Sequence, residues 1–166
     1  MATIKYISPI GNLFLSAEDG AVTELYFEGG RTTPATLKET PPNSEDAEVL
    51  NALTKELDTY FAGTLREFTV PLRPKGTPFR TNVWEALCTI PYGETISYKE
   101  LAQRIGNPKA IRAVGGANHN NPISIIIPCH RVIGVNGKLV GYGGGLNVKE
   151  FLLEHEQSNK THSCRV

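Results

Sequence analysis

A mostly apolar run, Ile123–Ile127, leads directly into the pentapeptide Pro128-Cys129-His130-Arg131-Val132. A short apolar run bounded by proline is typical of a buried strand, so the sequence predicts a cysteine and a histidine side by side at the end of a core strand. The thiolate is the nucleophilic form of cysteine, and a free thiol with a pKa of about 8.5 is only slightly ionised at neutral pH. A base held beside the thiol can take its proton and so produce the reactive thiolate. The pattern therefore predicts a sulfur nucleophile that attacks carbon or sulfur.

The chain has 166 residues, 40% of them hydrophobic, which suffices for one domain or two small ones. No stretch approaches the roughly 18 apolar residues of a membrane span, and residues 1–6 lack the form of a secretion signal. We therefore expect a cytoplasmic protein, or a nuclear one in a eukaryote, with no membrane partner. The cysteines are Cys88, Cys129 and Cys164, without a CxxC pair, and residues 1–76 contain neither Cys nor His. We expect no disulfide framework, no structural metal and no cofactor.

Charge is distributed unevenly along a chain whose formal net charge is zero. Residues 1–76 carry 7 Lys and Arg against 11 Asp and Glu, a net charge of −4. Residues 77–166 carry 10 against 6, a net charge of +4, and contain all four histidines and the cysteine motif. This asymmetry favours an anionic partner for the second part of the chain, although so modest an imbalance also arises by chance.

The first part of the chain predicts a small sheet and one helix. Turn signals at 8–11 and 19–20 separate three β-prone runs: Ile4–Ile7, Leu13–Ser16 and Val22–Phe27. An amphipathic helix is predicted from about Ser44 to Ala62, where Gly63 stops it. Residues 71–78 are typical of a linker, so we predict two domains, 1–76 and 77–166.

The second part is predicted to be mainly helical. Thr77 before Pro78 is a start signal for one helix, in which Trp84 and Cys88 are expected to be core residues. A last helix is predicted to begin with Asn147 as its cap. Its apolar spacing predicts a buried stripe formed by Val148, Phe151, Leu152 and His155.

Between these helices the sequence contains clear start and stop signals for two short helices. Ser97 and Glu100 form a capping box for a short helix that stops at Gly106. Asn107, followed by Pro108, is predicted to cap the next helix. Two short helices joined around one glycine indicate a helix-turn-helix, although any helical hairpin shows the same spacing.

The second of these helices, predicted over 109–118, has small residues where a helix usually has large ones. Ala113 lies on its small apolar face, and Gly115 and Gly116 each weaken the helix by about 1 kcal/mol. Such residues let another backbone come close. Arg112 projects away from the apolar face; a surface arginine is usually just solvated, but this one suits contact with a phosphate backbone.

Together these motifs resemble the O6-alkylguanine-DNA alkyltransferases over roughly residues 77–157. The segments in the family's order and spacing are Ile90–Thr95, Ser97-Tyr98, Arg112–Ala117, Asn121-Pro122, Ile127–Val132, Gly144-Gly145 and Lys149–Glu156. Residues 1–76 resemble the family only in general layout. The resemblance implies an α+β fold. Its N-terminal domain would be ribonuclease-H-like, with a small antiparallel sheet and a helix. Its mainly helical C-terminal domain would carry a winged-helix-like helix-turn-helix.

The resemblance also implies direct reversal of DNA damage. The protein would transfer the alkyl (methyl) group of O6-alkylguanine in DNA, with O4-alkylthymine left open as a second substrate, irreversibly to its own Cys129. His130 would act as the base through a water, and Glu156 would orient the imidazole. Tyr98 would donate a hydrogen bond to the guanine ring nitrogen that gains negative charge as the alkyl group leaves. Each molecule would act once.

The family resemblance also implies binding roles for further residues. The pocket around the base would be formed by Val132, Tyr142, Gly143 and Lys149, with Asn121 bracing the turns behind it. Arg112 would fill the space left by an extruded base, and Ala113 and Gly115 would face the narrow minor groove. The expected partner is double-stranded DNA containing O6-alkylguanine, with no obligate protein partner, so a monomer is expected. Asn118, Ser124 and Gly143 depart from residues found in some members (Met, Pro and Ser), which leaves the tolerated alkyl size open.

Other interpretations of the cysteine remain open at this point. Taken alone, Cys129 is most simply a core thiol, because free cysteine is among the most buried residue types. Two other functions are a non-catalytic protein that binds alkyl lesions, whose known relatives lack the acceptor cysteine, and a cysteine hydrolase that uses Cys129 and His130.

Overall fold

The computed structural model describes residues 1–30, 32–134, 142 and 145–160. Its first strands form an antiparallel sheet in the order β1-β2-β3: β1 Ala2–Ser8, β2 Gly11–Glu18 and β3 Ala21–Phe27. The three predicted strands are confirmed, and each is longer than predicted. At the predicted turn between β2 and β3, Asp19 and Gly20 have φ values of 51° and 75°, as a tight two-residue hairpin requires.

Helix α1, Ser44–Phe61, packs against this sheet as predicted. The side chain of Asn43 accepts a hydrogen bond from Asp46 N at 2.8 Å and so caps its first turn. Its buried stripe contains Val49, Leu50, Leu53 and Leu57, which face the sheet side of the core. Tyr60, in the last turn, is also fully buried and reaches the second part of the chain.

The predicted helices before the cysteine motif are present. They are α2 Pro78–Leu87, with Thr77 as its cap, α3 Tyr98–Arg104, with Ser97 as its cap, and α4 Ile111–His119. Trp84 is buried as expected, and its indole N–H donates to Ala117 O at 2.9 Å, which joins α2 to α4. The buried side chains of both parts of the chain form one continuous cluster. None of the helices within the described residues has the length and apolar character needed to cross a bilayer.

The predicted start of α4 at Pro108 is wrong by three residues. Gly106 has a φ of 77°, and Asn107 N donates to Ala102 O at 3.0 Å, the pattern of a Schellman ending. Asn107 therefore ends α3 instead of capping α4. Residues 107–110 make a separate turn, closed by a hydrogen bond from Ala110 N to Asn107 O, before α4 begins.

The predicted core strand over Ile123–Ile127 is also wrong. The segment is buried, but it folds as successive turns, with Ile127 N donating to Ile123 O at 3.0 Å. It meets the sheet at one point, where Ser124 N donates to Leu25 O at 3.2 Å. Ile125 has a φ of 72°, which a β-branched residue rarely adopts and which bends the chain away from an extended path. Apolar periodicity alone does not distinguish such a segment from a strand.

The chain beyond the cysteine forms a short strand and the last helix. Strand β5, Val132–Ile133, pairs in parallel with β4, Ile96–Ser97. Helix α5 spans Leu146–Lys160, so it begins one residue before the predicted cap Asn147. Residues 135–141, 143 and 144, which precede this helix, and the tail 161–166, which contains Cys164, lie outside the described residues.

Candidate active site

Cys129 opens a single turn of 3₁₀ helix, Cys129–Arg131, and its side chain is buried with 4% exposure. Asn121 braces the loop that leads to it. Its side-chain amide donates to Ile127 O at 2.8 Å, and its side-chain oxygen accepts from Ile123 N at 3.0 Å. Both ends of the turn segment are thus fixed by one buried side chain.

The environment of Cys129 keeps the resting thiol protonated. Burial raises the pKa of the Cys129 thiol, while Asn121, Lys149 and Ser124 act in the opposite direction without cancelling it. Because the thiolate is the reactive form, this cysteine needs a base in order to act as a nucleophile.

His130 and Glu156 form a buried pair next to that cysteine. His130 is fully buried, and its Nε2 lies 2.7 Å from Glu156 Oε2. An ionised carboxylate only accepts hydrogen bonds, so we assign the proton to Nε2, and Nδ1 is the nitrogen free to accept one. Nδ1 is buried and has no hydrogen-bond partner among the described residues. The imidazole is therefore held in the tautomer of a general base.

Two further side chains hold the Glu156 carboxylate. Arg131 donates to both of its oxygens, from Nε at 2.7 Å and from Nη2 at 3.0 Å, and also to Ile90 O at 2.7 Å. The Tyr60 hydroxyl donates to Glu156 Oε2 at 2.6 Å. Burial alone would raise the pKa of the Glu156 carboxyl, but the charges and hydrogen bonds of His130 and Arg131 hold it well below its usual range. Glu156 is therefore a permanent anion behind the imidazole.

Neither Arg131 nor Tyr60 was predicted as part of this site. Arg131 stands within the cysteine motif, and its sequence position next to His130 was a usable signal. Tyr60 lies 96 residues away from Glu156 in the chain, and no local pattern connects the two.

The buried stripe of α5 differs from the prediction. The buried residues are Lys149, Leu152 and Glu156, whereas Phe151 is 37% exposed and stacks on His155. The prediction assumed that the apolar side chains face inward. Two charged residues take those places because each has a buried hydrogen-bond partner.

Lys149 is fully buried, and its Nζ donates to Val132 O at 2.6 Å. Val132 itself is buried at the start of β5. Burial lowers the pKa of Lys149 to about 8, against the opposing effect of Cys129. The lysine thus places a cation near the Cys129 sulfur.

The lowered pKa of Lys149 predicts how stability changes with pH. A lysine in the unfolded chain has a pKa of about 10.4, whereas the folded value is about 8. Between these values the unfolded chain retains a proton that the folded protein has lost. Lys149 should therefore make the free energy of unfolding rise with pH by up to about 3 kcal/mol, starting near pH 8.

Denaturant unfolding of the parent protein and of Lys149→Met checks this contribution. The methionine removes the titrating group and keeps the length of the side chain. From about pH 8 to about pH 10 the difference in unfolding free energy should shift in favour of the parent. A difference that stays constant over this interval contradicts the assignment.

Tyr98, at the first position of α3, lies against α4. A Cβ built on Gly115 would lie 3.9 Å from the Tyr98 ring, an ordinary van der Waals distance, so the ring lies beside this helix. Burial raises the pKa of Tyr98, with an opposing contribution from a hydrogen bond to Asn118 and a further rise from Cys129. Asn118 is buried, and its amide approaches Cys129 O at 3.4 Å. Tyr98 and Cys129 are thus brought together by α4.

Tyr142 is buried and packs edge-on against Phe27, with ring centroids 5.6 Å apart. Burial, followed by Cys129 and Glu156, keeps the pKa of its hydroxyl well above the usual value, so it remains protonated. The predicted pocket residue Tyr142 is therefore on the same side of the core as the cysteine. Gly143, predicted beside it, lies outside the described residues.

The outer face of α4 carries Arg112 and Ala113, which are both exposed. The inner face carries Val114, Ala117 and Asn118, which are buried. As predicted, the arginine points away from the packed side. Cys88 differs from its prediction as a core residue, because it is exposed at the end of α2.

These observations define a class of protein: a helix-turn-helix protein with a buried cysteine that precedes a hydrogen-bonded histidine–glutamate pair. Residues 78–158 match the model of the 6-O-methylguanine DNA methyltransferase DNA-binding domain. Residues 1–74 match the model of the ribonuclease-like domain of the same proteins. The chain belongs to the 6-O-methylguanine DNA methyltransferase family.

Individual relatives agree with the family models. A methylated-DNA–protein-cysteine methyltransferase of Methanosarcina acetivorans is 50% identical over 153 residues, which cover 91% of this chain and 95% of the relative. One of Mycobacterium tuberculosis is 51% identical over 151 residues, covering 91% and 89%. The crystal structure of M. tuberculosis OGT in complex with DNA has a TM-score of 0.83 and 49% identity, covering 93% of this chain and 92% of that one.

Proposed function

We propose that Cys129 accepts the alkyl group of O6-alkylguanine in double-stranded DNA. The chain is a methylated-DNA–protein-cysteine methyltransferase, which reverses the damage directly. The observation that carries the assignment to Cys129 is the 3₁₀ turn, which places the buried thiol next to an imidazole that Glu156 holds at 2.7 Å. Cys88, by contrast, is exposed at the end of α2.

The reaction is a displacement at the alkyl carbon. The Cys129 thiol gives its proton, through a water, to Nδ1 of His130, and Glu156 stabilises the imidazolium that forms. The sulfur then bonds to the alkyl carbon as the bond from that carbon to guanine O6 breaks. Tyr98 donates a hydrogen bond to the ring nitrogen where negative charge develops. A thioether has no simple route back to a thiol, so each molecule acts once.

Access to the buried sulfur requires that the damaged base leaves the helical stack. Arg112, exposed on α4, would enter the duplex in its place, and Ala113 and Gly115 would let the helix approach the minor groove. Val132, Tyr142 and Gly143 would line the base pocket, with Lys149 beside it and Asn121 bracing the loop behind. The net positive charge of residues 77–166 supports binding to the phosphate backbone.

All the residues to which we assign DNA binding or alkyl transfer lie in the second part of the chain. We place the DNA-binding and acceptor domain at residues 77–166 and a supporting α/β domain at 1–76. Alkyl transfer needs Cys129 as a free thiol, and thiols stay reduced in the cytoplasm and in the nucleus of a eukaryotic cell. We therefore place the protein in one of these compartments. A monomer without a cofactor or an obligate partner accounts for all the steps above.

Mass spectrometry after mixing the protein with an oligonucleotide that contains O6-methylguanine tests the proposal. We expect a gain of one methyl group per chain, located on Cys129 by peptide mapping, and a matching loss of the lesion. Disappearance of the lesion without any gain of mass, or methylation of Cys88 instead, contradicts it.

The same measurement separates the two other functions. A protein that only binds alkyl lesions would retain the oligonucleotide without a change in mass. A cysteine hydrolase would release product repeatedly from one protein molecule. Stoichiometric consumption of the lesion excludes both.

A further inference from the structure

Glu156 is also bound by a residue of the N-terminal part of the chain, Tyr60. This residue lies in the last turn of α1, is fully buried, and donates its hydroxyl proton to Glu156 Oε2 at 2.6 Å. The same oxygen accepts from His130 Nε2 at 2.7 Å. One carboxylate oxygen is therefore shared between a tyrosine of the N-terminal region and the histidine beside the acceptor cysteine.

Helix α5 binds the backbone of Tyr60 as well as its hydroxyl. His155 Nε2 donates to Tyr60 O at 2.6 Å, and the two rings are in contact with centroids 5.3 Å apart. Two successive residues of α5, His155 and Glu156, thus bind opposite ends of one tyrosine. Burial, followed by the charge of Glu156, keeps the pKa of Tyr60 well above its usual value, so its proton remains available for donation.

We propose that Tyr60 is a positioning residue for alkyl transfer: its hydroxyl fixes the Glu156 carboxylate on His130 and takes up part of its negative charge. The proposal rests on the function proposed above. It makes the N-terminal region a contributor to the acceptor site, although the acceptor cysteine and its base lie in the other part of the chain.

The charge shared by Tyr60 decides how strongly Glu156 attracts a proton on the imidazole. Without the hydroxyl, the carboxylate is a stronger acceptor and stabilises the protonated ring more. The His130–Glu156 pair then binds a proton at higher pH, and the base is lost at a pH where the parent protein still has it. The effect is confined to the acidic side of the pH–rate profile.

The other groups around Glu156 remain in place when Tyr60 changes. Those that face it are His130 and Arg131 from the 3₁₀ turn, Tyr92 from the turn before β4, and Tyr142. Tyr92 offers a matched control, because its ring meets the edge of Tyr60 at 6.3 Å. Its hydroxyl is buried without a hydrogen-bond partner in the described part of the chain. Tyr92→Phe removes a hydroxyl from the same cluster but no hydrogen bond to Glu156.

The test compares single-turnover methyl transfer from an O6-methylguanine duplex by the parent, Tyr60→Phe and Tyr92→Phe from about pH 5.5 to about pH 8.5. For Tyr60→Phe we expect the acidic limb to move to higher pH by about half a unit or more, with a several-fold loss of rate at the acidic end. Tyr92→Phe should follow the parent. Thermal unfolding of each protein verifies that all three are folded.

A second variant keeps the proposal testable if Tyr60→Phe is unstable. Site-specific 3-fluorotyrosine at position 60 keeps the ring and provides a more acidic hydroxyl, so the limb should move to lower pH.

Superimposed profiles overturn the proposal, as does a loss of rate that is equal at every pH or a shift that Tyr92→Phe shares. Failure of the parent itself to take up methyl overturns the proposed function instead.

Discussion

Replacing Cys129 by serine should abolish methyl transfer while leaving DNA binding intact. A serine hydroxyl beside His130 is a much poorer nucleophile than a thiol, so we expect the rate constant for methyl transfer to fall by at least about a thousandfold. Cys129 is 4% exposed, whereas Arg112 and Ala113 lie on the exposed face of α4. Binding of a lesion-containing duplex should therefore be close to that of the parent. Quenched-flow transfer assays and a DNA titration measure the two properties separately.

Cys88→Ser is the matched control for this substitution. Cys88 is exposed at the end of α2. Its replacement should leave transfer unchanged. Loss of both transfer and DNA binding in Cys129→Ser would mean that the thiol is structural, and loss of transfer in Cys88→Ser would move the acceptor away from the 3₁₀ turn.

Replacing Arg112 by alanine should separate the repair of DNA from the chemistry of the sulfur. Extruding a base costs a few kcal/mol, and a side chain that fills the gap recovers part of that cost. We expect the rate on an O6-methylguanine duplex to fall by about tenfold to a hundredfold. The rate with free O6-methylguanine base should stay the same, because Arg112 is exposed and does not contact the buried thiol.

Two further variants define what the arginine contributes. Arg112→Lys keeps the positive charge, so recovery of the duplex rate would assign the effect to charge and not to the shape of the guanidinium. Lys55→Ala removes an exposed charge from α1 and should change neither rate. Equal losses of Arg112→Ala on the duplex and on the free base contradict the role proposed for Arg112.

Local rules predicted most of the fold. The caps at Thr77 and Ser97 and the hairpin at Asp19-Gly20 were correct, because each depends on hydrogen bonds or dihedral angles within a few residues. The error at Asn107 is also local. Asn107 could either cap α4 or complete the Schellman ending of α3, and in the structure it ends α3. The run before Cys129 was misjudged because burial and apolar character do not specify an extended backbone.

The site was predictable to the extent that its chemistry lies within one motif. Cys129 and His130 are neighbours in the chain, and the family resemblance supplied Glu156. Tyr60 was not predictable, because its contact with Glu156 depends on how α1 packs against α5. The buried face of α5 was missed for a related reason: Lys149 and Glu156 are buried only because partners elsewhere in the fold satisfy them.

The burial of Cys129, whose side chain is 4% exposed, also bears on a molecule that has already reacted. We expect a methyl group added to this buried sulfur to crowd the surrounding side chains, at a cost of about 1–3 kcal/mol. Small proteins have a margin of only about 5–15 kcal/mol against unfolding. We therefore expect methylated copies to unfold more often than unreacted ones and to be cleaved faster by proteases. A repaired lesion would then shorten the lifetime of the protein that repaired it, without any separate signal.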